Sequence, residues 1–96
     1  MNPRAEHFGA MEIDLRDITF TRELLALIPP EFARRHLVLP VLDSSDRLVV
    51  AMADPSDLGA IDALHARFQR EVEICVAGES QLHEFIERLY GSEGAQ

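Results

Sequence analysis

The chain has no lysine. Its nine basic residues are all arginine, set against seventeen acidic ones, for a formal net charge of −8. A uniform choice of arginine reads as a base-composition bias of the source genome, but the shortage of positive charge has a physical consequence. An acidic domain releases few counterions from a phosphate backbone, so no nucleic-acid partner is expected. The lone cysteine, Cys75, excludes an internal disulfide. Neither a signal peptide nor an apolar run of about 18 residues is evident, and the chain reads as cytoplasmic. Its five glycines form neither a phosphate-binding loop nor a dinucleotide fingerprint. The four histidines, His7, His36, His65 and His83, have no i, i+4 His partner and no Cys/His cluster, so no metal site is expected. No Ser-His-Asp or paired-carboxylate arrangement stands out, and a chain this short has little room for a walled pocket. The expectation is no catalytic residue, no cofactor and no enzyme.

What is present is an ordinary globular composition, 47% hydrophobic and 27% charged over 96 residues, enough for one small core. Residues 1–10 and 92–96 lack periodicity and read as tails, leaving a domain over 11–91. "MEIDL" (11–15) alternates as a short strand would. "TRELLALI" reads as a short helix capped by Thr21, stopped by Pro29-Pro30, and "PPEFARRH" as a second one opened by proline. Two apolar runs, Leu37–Leu42 and Arg47–Ala53, flank Asp43-Ser44-Ser45-Asp46 and predict a hairpin. Pro40 cannot donate to a ladder, so its strand belongs at an edge or has a free side there; Leu48–Ala53 is apolar throughout and belongs at the centre.

A helix over Asp57–Phe68 and a strand over Glu71–Val76 complete a β-α-β unit, with Val72, Ile74 and Val76 predicted inward and Cys75 outward beside Glu71 and Glu73. The last helix carries Leu82, Phe85, Ile86, Leu89 and Tyr90 on one stripe, with Gly91 as its C-terminal stop. The fold class is α+β: a small mixed sheet of three to four strands, a hairpin and a β-α-β unit, with helices packed on it. Leu48, Val50, Ile61, Leu64, Val72, Ile74, Phe85 and Leu89 are the expected core.

Asp54-Pro55-Ser56-Asp57 stands where strand gives way to helix, a common place for a phosphate. It has no glycine, its two carboxylates would repel an anion, and Ser56 or Asp57 suits a helix cap, so it reads as a join. Acidic neighbours would raise the Cys75 thiol pKa, which argues against a nucleophile. Arg34-Arg35-His36 is the one basic cluster; at a helix C-terminus it favours the dipole, and it could also rim a contact surface.

The stretches "IDL", "ELLALIPPEFARRHLVLPV", "RLVVAMADPSDLGAIDAL" and "FIERLYG", in that order, resemble the N-terminal domain of the ATPases of type II secretion and type IV pilus assembly. The resemblance spans roughly residues 12–91 and corresponds to the α/β half of that domain. It implies an adaptor of a bacterial secretion or pilus machine, docking to the inner-membrane platform or to the ATPase, and peripheral at the inner membrane only through such a partner. Some members bind cyclic di-GMP through helical repeats beginning Arg-Leu-Gly. "MNPRAEHFGA" contains no such repeat, which argues against cyclic di-GMP here, although sensing it or a related nucleotide is the alternative function. No Walker motif is present. Because the sheet is apolar on both faces and the first two helices are short, the expected partner contact is an open patch or sheet edge at Pro40, rimmed by Arg34 and Arg35. Self-association could use the same surface.

Overall fold

The computed structural model describes residues 12–69 and 71–94. A 3-10 turn at Leu15–Asp17 precedes helices α1 (Arg22–Leu25) and α2 (Pro30–His36). Strands β1 (Val38–Asp43) and β2 (Arg47–Met52), helix α3 (Leu58–Arg67), strand β3 (Glu71–Val76) and helix α4 (Glu79–Gly94) follow. The sheet order is β1-β2-β3, with β1 and β2 antiparallel and β2 and β3 parallel, so the hairpin and the β-α-β unit both form as expected.

β2 is central, which is why it tolerates apolar residues on both faces: Leu48, Val50, Ala51 and Met52 are fully buried. Pro40 is on an edge strand opposite Val50, and the pairing parity turns its missing donor away from β2. A register shift between Pro40 and Leu42 marks a bulge one residue later. The turn is tighter than the four polar residues suggested, since Asp43 belongs to β1 and the Ser44 amide bonds the Arg47 carbonyl at 2.9 Å.

The short helices start where their caps dictate. The Thr21 hydroxyl accepts from the Leu24 amide at 3.1 Å, and Pro30 is the first residue of α2. Leu37 closes α2 at φ 53°, a left-handed conformation usually left to glycine. Pro29-Pro30 cannot extend α1, so residues 26–29 form an elbow between two helices too short to stand alone.

Four expectations are corrected. "MEIDL" forms no strand: Met11 lies outside the described residues, Glu12 makes a single parallel bridge to Val76, and the chain then enters the 3-10 turn, where Asp14 caps Arg16 and Gln81 bonds both Asp14 and the Leu15 amide. Gly91 is not a stop, because α4 runs through it to Gly94. Cys75 is buried and Ile74 and Val76 are only half-buried: on the Cys75 face the cover reaches the C-terminal part of β3 and leaves Glu71 and Glu73 exposed. Of the expected core, Leu48, Val50, Leu64 and Val72 are buried. Ile61, Ile74, Phe85 and Leu89 pack at its margin, and α4 instead buries Leu82, Ile86 and Tyr90, one i, i+4, i+8 row.

Of the tails proposed at 1–10 and 92–96, residues 1–10 and 95–96 lie outside the described residues, while 92–94 belong to the end of α4. No described helix is long and apolar enough to cross a membrane.

Candidate functional surface

The strand-to-helix turn spends its polar groups on itself. Asp54 accepts from the Ser56 amide at 3.0 Å and its hydroxyl at 2.6 Å, bonds that hold its carboxyl below the usual range. Asp57, not Ser56, caps α3, accepting from the Ala60 amide at 3.2 Å. Its second oxygen is 3.2 Å from His36 Nδ1, tying the end of α2 to the start of α3, and the His36 ring rests on Phe32. The turn is a join between elements.

Cys75 has its Sγ directed at the Val50 carbonyl, 3.6 Å away, and burial followed by the Glu73 charge pushes its thiol up to about 11. Such a thiol is almost wholly protonated at neutral pH and is a poor nucleophile. Among the described residues, no three His, Cys, Asp or Glu side chains come together to hold a metal ion.

The basic cluster divides. Arg34 reaches across to α4 and pairs with Glu87 at 3.1 Å. Arg35 stands exposed at the rim of a hollow of about 450 Å³ between α2 and α3, lined by Pro29, Glu31, Phe32, His36 and Ala63. Pro40 does not join them at a surface: it is fully buried, because α1, α2 and α4 all pack on β1 and close the patch expected there. On the other flank of the elbow a second hollow, about 400 Å³, lies against the end of α4, with Leu25, Ile28, Pro30, Leu89 and Tyr90 as its lining and Arg22 beside them.

Sequence reasoning missed Arg22 and Arg67. Arg67, at the end of α3, points Nε at the Leu27 carbonyl of the elbow, 3.3 Å away. They lie on different elements, 45 positions apart, and no local spacing connects them.

The MshEN domain family matches residues 6–96. The type IV pilus assembly ATPase PilB of Myxococcus xanthus is 37% identical over 90 residues, which is 94% of this chain and 16% of that protein. PilB of Thermus thermophilus is 36% identical over 70 residues, 68% of this chain and 8% of that protein. The chain thus spans a small fraction of the curated ATPases it matches. Among solved structures, MshE with cdg superposes with a TM-score of 0.77 at 32% identity, covering 88% of this chain and 62% of that one. The N-terminal domain of XpsE superposes at 0.72 and 26% identity, covering 88% and 60%. The expectation against cyclic di-GMP, drawn from the missing Arg-Leu-Gly repeats, runs against the first of these, since a relative of the same fold was solved with that ligand. The resemblance read from the four sequence stretches holds: the chain belongs to the MshEN domain family, the N-terminal domain of type IV pilus and type II secretion ATPases.

Proposed function

We propose that the chain is a non-enzymatic docking module of a bacterial type II secretion or type IV pilus machine, engaging a cytoplasmic or inner-membrane-platform protein. The observation that carries this reading is kinship with the N-terminal domains of the machine's ATPases, which are a small part of proteins whose catalytic region is another segment. A module of this size serves the ATPase by holding it in place. Of the three residues expected to meet the partner, Arg35 remains the exposed cation, Arg34 contributes through an exposed pair with Glu87, and buried Pro40 drops out.

The test is binding of the 96-residue chain to the purified cytoplasmic domain of the platform protein from the same machine, with the ATPase region absent. Saturable binding, weakened by Arg35→Glu with the fold intact, is the expected result. No binding under conditions where the intact ATPase binds would sink the docking reading.

A second reading, a regulatory module that senses cyclic di-GMP or a related nucleotide, is favoured by the likeness to MshE with cdg. A calorimetric titration of the chain with cyclic di-GMP separates the two. Saturable binding at micromolar ligand promotes the sensor; a flat titration alongside platform binding leaves the docking module.

A further inference from the structure

Seven arginines lie among the described residues, and they fall into two groups. Arg16, Arg34, Arg47 and Arg88 each pair with a carboxylate, at 2.7 to 3.1 Å. Arg22, Arg35 and Arg67 have no carboxylate partner among the described residues; Arg67 has only the Leu27 carbonyl. In a chain with seventeen acidic residues and nine basic ones, carboxylates are not scarce. Yet the three arginines left over are all exposed and all border one feature, the elbow between α1 and α2. Arg22 edges the hollow against α4, Arg35 the hollow against α3, and Arg67 touches the elbow backbone itself. Pro29 lines both hollows, so they form one surface with a ridge down its middle.

We propose that this elbow and its two hollows dock an acidic, amphipathic segment of a protein partner, a proposal that rests on the docking reading above. The hollow against α4 has a mostly apolar floor, and the one against α3 offers Pro29, Phe32 and Ala63 beside Glu31 and His36, so each has room for an apolar side chain. Around them the unpaired guanidiniums supply positive potential to an interface whose partner brings carboxylates, and arginine is the cation best suited to such contacts. The geometry disfavours a small anion, because Arg22 and Arg35 serve different hollows and do not converge on one point. An extended polyanion such as a nucleic acid or an anionic membrane is disfavoured by the net charge of −8, which opposes it beyond the local patch. A short acidic segment escapes that penalty, since charges beyond about 8–10 Å are screened at physiological salt.

The experiment uses the isotopically labelled chain and two synthetic amphipathic helices, one with glutamates flanking a leucine stripe, the other with lysines in their place. The acidic peptide should shift amides of α1, the elbow, α2 and the facing side of α3, saturably, and the lysine peptide should not. Arg22→Gln with Arg35→Gln should weaken the acidic peptide roughly two- to thirtyfold, the worth of two exposed ion pairs, while the paired control Arg47→Gln with Arg88→Gln leaves it unchanged. These variants spare the Arg67 contact, and circular dichroism checks the fold. Equal binding of the lysine peptide, indifference to the double variant, or a stronger response to phosphatidylserine vesicles than to the peptide overturns the proposal. If the platform domain binds wild type and double variant alike, this surface is wrong and the docking reading stands. If the acidic peptide binds as expected while the platform domain does not bind, the docking reading falls and the surface stands.

Discussion

The sheet begins nine residues after the elbow ends, yet the two are held by different means. In β2 each residue has a strand on either side, and the apolar side chains of both faces are removed from water. That burial is contiguous and independent of any single polar contact. The elbow has α1, a helix of four residues, and an α2 of seven, neither of which closes enough of its own hydrogen bonds to persist. Its carbonyls are also met from afar: the Tyr90 hydroxyl reaches those of Leu25 at 3.1 Å and Ile28 at 3.0 Å, and Arg67 reaches that of Leu27. The difference teaches that the sheet is a scaffold and the elbow a tethered element, positioned by side chains of α3 and α4. A tethered element with spare cations is better suited to meet a partner than a sheet whose central strand is buried.

The largest effect comes from breaking the scaffold. Ile86 is buried beneath α4, and Ile86→Ala should cost about 2–5 kcal/mol, a large share of a small domain's stability. Urea denaturation measures it. A loss no larger than that of an equivalent change at half-buried Phe85 would mean that the burial row of α4 is wrongly placed.

Next in size is the tether. Tyr90→Phe keeps the ring and removes the hydroxyl shared by the Leu25 and Ile28 carbonyls, at about 1–3 kcal/mol. Hydrogen exchange sharpens the contrast: amides of Leu25–Ile28 should lose more protection than those of β2. Equal losses in both would make the elbow and the sheet one cooperative unit and erase the distinction.

A third change probes the link between α2 and α3. Asp57→Ala removes both the α3 cap and the His36 contact and should cost about 0.5–2 kcal/mol, whereas Asp57→Asn keeps an equally good cap. In thermal denaturation the loss of Asn against wild type reads the His36 link, and the further loss of Ala reads the cap. If Asn costs as much as Ala, the cap contributes little and the His36 contact is the main tie.

How much of this was legible in the sequence follows from where the information is local. The β-α-β unit and the central strand were readable because periodicity and unbroken apolar runs are properties of neighbouring residues. That the turn caps α3 was readable for the same reason, although Ser56 and Asp57 were equal candidates and only the fold picks Asp57. Cys75 was misjudged because alternation along β3 reports one face only, and what covers the other face is set by distant elements. Pro40 was placed on the right strand but on the wrong side of the surface, since three helices gather over β1. The grouping of Arg22, Arg35 and Arg67, like the Tyr90 tether, exists only once the chain is folded, and no spacing in the sequence encodes it.

The smallest effect decides a sign. Gly91 had the look of a helix stop, followed by small polar residues, but α4 continues through it, and its backbone is not in the left-handed region. A Cβ built there meets nothing closer than Glu87 Oε1 at 3.4 Å, the far end of a flexible, exposed side chain. Gly91→Ala should therefore stabilise the domain by about 0.5–1 kcal/mol, through better helix propensity and a less free unfolded chain. For a domain of this size that raises the melting temperature by about 2–8 °C. If Gly91 instead closed the helix in a left-handed cap, alanine would be strained and the midpoint would fall. A rise extends the scaffold past Tyr90 and makes the tether a residue inside a helix; a fall ends α4 one residue after Tyr90, and the elbow would then hang from a fraying terminus.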